Sequence, residues 1–177
     1  FGRNAVGGAI NVITEAPSFA GTSASVMSSY ASNDNFQSRA HLNVPLSDTL
    51  AFSASALYGN EDDYRDGTAG GQALPGEISR GARVKLRWAP FERLDLTLAG
   101  YRMKQQGAGT LFAPNADPTP VLGAPIVPQS ATDGALNAPV FSTLDDTMIY
   151  GQAVLNTDWF DVKLLGSDQD VLTNIRV

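Results

Sequence analysis

A single histidine, His41, and the absence of cysteine set tight limits on the chemistry open to this chain. Without thiols there is no disulfide, no thiolate nucleophile and no cysteine-based metal site. His41 has no second His nearby to share a metal ion with, and so makes a poor ligand. No serine–histidine–acid pattern surrounds it, and nothing points to a carboxylate pair for acid–base work. The reading is of a protein that is not an enzyme.

The charged residues fall in small groups. Glu61, Asp62, Asp63 and Asp66 form one acidic cluster and Asp145–Asp146 another. Calcium prefers several oxygens, but this spacing fits no EF-hand loop, so both read as solvated loop bases and no metal is assigned. Tyr64, Arg65, Tyr101 and Arg102 are the better candidates for ligand contact, because aromatic and arginine side chains anchor binding. The stretch GRNAVGG lacks the terminal Gly-Lys-Ser/Thr of a phosphate-binding loop, and no helical pattern follows it. The net charge of -6, without a dense Lys/Arg patch, argues against nucleic acid as a partner. Only 17% of residues are charged, fewer than in an ordinary soluble domain, and no apolar run is long enough for a membrane helix.

The elements that must position these residues are strands. Helical periodicity is weak, and period-two alternation recurs. Ala82, Val84, Leu86 and Trp88 face one way while Arg83, Lys85 and Arg87 face the other. Phe36, Ala40, Leu42 and Val44 share a face with Ser38, opposite Gln37, Arg39, His41 and Asn43. Leu94, Leu96 and Leu98 oppose Asp95, Thr97 and Ala99. Leu50, Phe52, Ala54, Ala56 and Tyr58 oppose Ala51, Ser53, Ser55 and Leu57, and Phe160, Val162 and Leu164 oppose Asp161 and Lys163. Each strand has one apolar and one wet face, since successive side chains point to opposite sides. The expected strands are seven, at about 20–32, 36–45, 49–61, 80–90, 93–105, 147–156 and 159–171.

Short turns fall at PLSDT, PFER and NTD, and a tight connection lies near 33–35. Longer segments run at about 62–79 and 107–145. Short turns at one end and longer loops at the other are the layout of an outer-membrane barrel. Tyr30, Tyr58, Trp88, Phe91, Tyr101, Tyr150, Trp159 and Phe160 sit near the expected strand ends. They fit an interfacial girdle or edge-of-core packing in a soluble sheet equally well.

The opening stretch FGRNAVGGAINVITEAP has its own logic. Gly7 and Gly8 permit a backbone path that side chains would block, AINVIT is a short β-prone run, and Pro17 ends it. Gly2-Arg3-Asn4-Ala5 followed by Gly7-Gly8-Ala9-Ile10-Asn11-Val12-Ile13-Thr14 resembles the closing signature of the plug domain of TonB-dependent outer-membrane receptors. The stretch NVPLSDTL resembles that family's first short periplasmic turn, YGNEDDYRDG the top of the third strand, and RVKLRWAP the fourth strand returning.

The resemblance implies an all-β chain. Residues 1–17 would be the C-terminal end of the plug, and 18–177 the N-terminal part of a transmembrane antiparallel β-barrel. About seven strands would then belong to a barrel of ~22 strands, with both ends of the chain truncated. It implies active import of a scarce nutrient across the bacterial outer membrane, driven by TonB through an N-terminal segment not in this chain. No cofactor is implied. A ferric siderophore leads among small-molecule ligands as the commonest family role; haem, cobalamin, nickel chelates and glycans share the scaffold. Arg3, Asn4, Arg39, Arg83, Lys85 and Arg87 become candidates for the plug–barrel interface. The basic trio is expected to face the lumen, and Val84, Leu86 and Trp88 the outer-membrane lipid. A structural or adhesive β protein and a passive porin remain the alternatives.

Overall fold

The computed structural model describes residues 14–32, 34–62, 66–67, 76–107, 133–134 and 141–176. The glycine turn and most of the AINVIT run lie outside them. The described residues form nine strands: β1 (Ser23–Ala31), β2 (Asn35–Pro45), β3 (Leu50–Glu61), β4 (Asp66–Gly67), β5 (Glu77–Phe91), β6 (Leu94–Gly107), β7 (Asp133–Gly134), β8 (Phe141–Asn156) and β9 (Asp161–Arg176). Among the described residues there is no helix.

Seven strands build one antiparallel sheet in the order β1-β2-β3-β5-β6-β8-β9, each beside its neighbour in sequence. The sheet is open, with β1 and β9 at its edges. β4 and β7 are two-residue pieces of the two long connections and pair with each other in parallel. The seven long strands match the seven expected from alternation. β8 and β9 run further than expected, because Phe141–Asp146 pair with the far end of β9, across from Val171–Arg176. Asp145 and Asp146 are therefore strand residues on opposite faces, not a loop base.

The turns explain the register. At 46–49 the Ser47 hydroxyl accepts from the Thr49 and Leu50 amides at 3.2 and 3.1 Å, and the Leu46 amide donates to the Leu50 carbonyl at 2.7 Å. A serine that bonds the backbone two or three residues on is a built-in turn former. At 157–160 the Thr157 hydroxyl does the same for the Phe160 amide at 2.9 Å. Between Trp88 and Phe91 the β5–β6 ladder slips; Pro90 has no amide to donate, and a bulge absorbs it. All three of these short connections lie at one end of the sheet. The 62–76 and 108–140 connections leave from the other.

Register then sorts the faces. Phe52, Leu86 and Leu98 lie directly across from one another on β3, β5 and β6, and so do Ala54, Val84 and Gly100. A slip by one residue would send every one of these side chains to the opposite face. The side chains on this face are widely exposed: Leu98 is 57% and Leu164 65% accessible. What burial there is lies on the polar face. Among the described residues Ala51, Ala99, Asn43, Ser53, Gly59 and Lys85 are the buried strand residues, and each of them is on that side. A sheet that exposes its apolar face and buries residues only on its polar one inverts the usual soluble arrangement.

Tyr101 and Tyr150 sit mid-strand on the polar face, so they do not belong with the aromatics at the strand ends. Trp88, Phe91, Trp159 and Phe160 do gather at the short-turn end, all exposed.

Candidate functional site

The cover on the polar face is the chain itself. Residues 14–21 cross the sheet before entering β1. Lys85 of β5 donates to the main-chain oxygens of Thr14 and Glu15, at 3.1 and 2.7 Å, and to the Thr14 hydroxyl. Arg87, two residues on, donates from Nη1 to the Pro17 carbonyl at 3.2 Å. Its guanidinium also lies 4.7 Å from the centre of the Phe19 ring. Asn43 of β2 completes the clasp. Its Oδ1 accepts from the Ser18 amide at 2.9 Å, and its Nδ2 donates to the carbonyls of Ser18 and Gly21 at 3.0 and 2.9 Å. Pro17 is buried beneath this grip.

These residues fit the chemistry asked of them. A crossing segment leaves its own amides and carbonyls without a ladder, and each needs a partner when covered. Lysine and arginine supply donors for the carbonyls, while asparagine supplies a donor and an acceptor at once. Lys85 is only 6% exposed and is held by carbonyl and hydroxyl oxygens. Arg87 is further steadied by Asp95 of β6, with Nε at 2.8 Å and Nη2 at 2.6 Å from the carboxylate.

Toward the long-loop end the face opens. A cavity of about 280 Å³ lies at the edge of the crossing segment, lined by Thr14, Glu15, His41, Ser53, Ser55, Arg83 and Lys85. Beyond it a hollow of about 580 Å³ is bordered on this face by Met27, Arg39, Leu57, Tyr101 and Met103. The Arg83 guanidinium stacks 5.3 Å from the Tyr101 ring centre. Its Nε is buried without a hydrogen-bond partner among the described residues. Tyr101 donates from its hydroxyl to Asp146 at 2.9 Å, and Gln169 of β9 donates to the other Asp146 oxygen at 2.9 Å. This network ties β6, β8 and β9 together across the polar face.

His41 Nδ1 and Ser55 Oγ are 2.9 Å apart. The pairing follows from the β2–β3 register, which sets the two residues directly across from each other. A serine–histidine pair needs an acid on the other ring nitrogen and an oxyanion site to catalyse acyl transfer. Among the described residues no carboxylate is hydrogen-bonded to this imidazole, and no group of His, Asp or Glu stands close enough to hold a metal.

No protein-family model, no curated protein and no solved structure matches this chain. The site is therefore read from its own residues. Of the interface candidates, Lys85 and Arg87 meet the crossing segment directly. Arg83 lines the adjoining cavity, and Arg39 borders the larger hollow. Arg3 and Asn4 lie outside the described residues, as do Tyr64 and Arg65. Tyr101 and Arg102 are neighbours in sequence but point to opposite faces. Tyr101 belongs to the polar network, whereas Arg102 lies on the apolar side and pairs with Asp145 at 2.9 and 2.8 Å. Sequence reasoning passed over Asn43 and Asp95. The one available signal was their place on the wet side of an alternating strand.

Proposed function

We propose that this chain is part of a TonB-dependent outer-membrane receptor: the end of its plug and the first strands of its barrel. The observation that carries the reading is the opposite treatment of the two faces. Part of the polar face, at Asn43, Lys85 and Arg87, is covered by the segment that precedes β1, while the apolar face is left uncovered. In a barrel with a plug, the last plug residues run against the inner wall before the first strand begins, and lipid meets the outer wall. The outward side of β3 carries no charge from Leu50 to Tyr58, nor that of β8 from Thr147 to Leu155. Each stretch is about nine residues, the length a tilted transmembrane strand requires.

On this reading Lys85, Arg87 and Asn43 seat the plug end on the wall through hydrogen bonds that can be exchanged for water when the plug moves. Arg83 and the Tyr101–Asp146–Gln169 network line the passage. The parent protein would import a scarce nutrient, with a ferric siderophore first among candidates. TonB would supply the energy through a segment upstream of this chain, and no covalent chemistry would be done on the ligand.

The test uses the intact protein in its native cell. It should fractionate with the outer membrane, and its deletion should abolish energy-dependent uptake of a ferric siderophore under iron limitation. A freely soluble intact protein would sink the reading. Uptake that persists after collapse of the ion gradient would favour a passive porin instead.

A further inference from the structure

Beyond the apolar band, toward the long connections, the outward face turns basic at one place. Arg80 of β5 lies directly opposite Lys104 of β6, and Arg102 of β6 lies opposite Ala82, one step nearer the band. Alternation puts these side chains on the face of Val84, Leu86 and Leu98. Arg80, Ala82, Arg102 and Lys104 border a hollow of about 460 Å³, which Leu57 and Gly81, residues of the polar side, also line.

Like charges set opposite each other on neighbouring strands repel. Asp145 of β8 offsets part of this: it accepts two bonds from Arg102, and its carboxylate lies 3.8 Å from Lys104. Arg80 has no ion-pair partner among the described residues. Asp170 shares the face but lies on β9, with Thr147 of β8 between it and Arg102. Among the described residues three cations stand against one carboxylate, which leaves the hollow with a surplus of positive charge.

The ligand that relieves this is an anion with several acceptor oxygens, and arginine's planar fork suits phosphate. The apolar band selects among phosphates. A free phosphate gains nothing from Val84, Leu86 and Leu98, whereas a phosphate carrying acyl chains covers them. Exposed Tyr58, directly across from Arg80 on β3, adds an amphipathic ring of the kind found where hydrocarbon meets headgroups. We propose that Arg80, Arg102 and Lys104 bind the phosphate of a membrane lipid whose headgroup is net negative, with no cation of its own to offset that phosphate, and whose chains lie down the apolar face. The site rests on the reading of that face as the lipid-facing wall. Asp145 holds Arg102 and Lys104 in place and competes with the phosphate.

The intact protein, extracted in mild non-ionic detergent, would be examined by native mass spectrometry. The probes are lipid A, which carries two phosphates, phosphatidylcholine, and inorganic phosphate as competitor. Wild type should retain lipid A in preference to phosphatidylcholine, and equimolar inorganic phosphate should not displace it. The triple variant Arg80→Gln, Arg102→Gln, Lys104→Gln should retain at least about tenfold less, since each basic residue near a membrane surface contributes appreciably. Asp145→Asn should retain more than wild type. Equal retention by wild type and the triple variant would overturn the site, as would displacement by inorganic phosphate or equal binding of phosphatidylcholine. Should the triple variant not fold, Asp145→Asn decides alone, and unchanged or weaker retention overturns the proposal. Fractionation of the same cells separates the two readings. Protein in the outer membrane without bound lipid A defeats the site only, and protein absent from the membrane defeats both.

Discussion

Lys85 and Glu15 are 70 residues apart in the chain, and the Lys85 ammonium donates to the Glu15 main-chain oxygen at 2.7 Å. The contact uses the backbone of Glu15, so the carboxylate of that residue is not what holds the crossing segment down. Identity at position 85 matters to the clasp, and identity at position 15 does not.

Lys85→Met should cost about 1–3 kcal/mol, because covered carbonyls of Thr14 and Glu15 lose their donor. Glu15→Gln should stay within about 0.5 kcal/mol of wild type, as surface changes away from special features do. Chemical unfolding of the intact protein checks both. A Glu15→Gln loss as large as that of Lys85→Met would contradict the main-chain contact.

Asn43→Ala removes three hydrogen bonds to the crossing segment. Asn43→Asp keeps the acceptor for the Ser18 amide, but turns a donor into a carboxylate facing the Ser18 and Gly21 carbonyls. Both variants should speed hydrogen exchange at the Ser18 amide, by about tenfold or more for a loss of ~1.4 kcal/mol in local stability. Rescue by aspartate to the wild-type rate would show that the acceptor alone matters, against the geometry.

Two ion pairs should separate by exposure. Arg87–Asp95 is three-quarters shielded, with side chains 30% and 25% accessible; Arg93–Asp158 is 56% and 71% accessible. A double-mutant cycle on the first should give a coupling of about 1 kcal/mol or more, and on the second well under ~1 kcal/mol, because water screens exposed pairs. The opposite ranking would mean that the crossing segment does not shield Arg87.

Leu86→Arg tests which medium meets the apolar face. Leu86 stands between Phe52 and Leu98 near the middle of the band. In a bilayer the charge should cost about 2–4 kcal/mol, measured by folding of the intact protein into lipid vesicles. If the face met water, the change would fall within about 0.5 kcal/mol.

Much of the fold was legible because its signal is local. Arg83, Lys85 and Arg87 separate from Val84, Leu86 and Trp88 by the pleat of a single strand, and the neighbouring strands repeat the pattern. The strand limits were less legible. Ser142, Thr143, Asp145 and Asp146 read as loop because they are polar, yet their main chains pair with β6 and β9, and pairing does not require apolar side chains. The site was legible in part. Lys85 and Arg87 stood out as charges on a wet face. Asn43 did not, since an asparagine near a strand end is ordinary until a distant segment reaches it. Arg102 parts from Tyr101, because adjacency in a strand sends neighbouring side chains to opposite sides.

The sequence by itself determined that the strands have one apolar and one polar face, that seven of them follow along the chain, and where most of the turns fall. These follow from the two-residue pleat and from Ser47, Pro90 and Thr157 acting on the residues beside them. Only the tertiary structure decided which face is covered and by what. It brought Ser55 to His41, Asp146 and Gln169 to Tyr101, and Arg80 to Lys104. It also drew residues 14–21 across to Lys85, Arg87 and Asn43. Those meetings depend on the register between neighbouring strands, and on main-chain acceptors that every residue carries alike. The identities of the crossing residues therefore do not announce where they will dock.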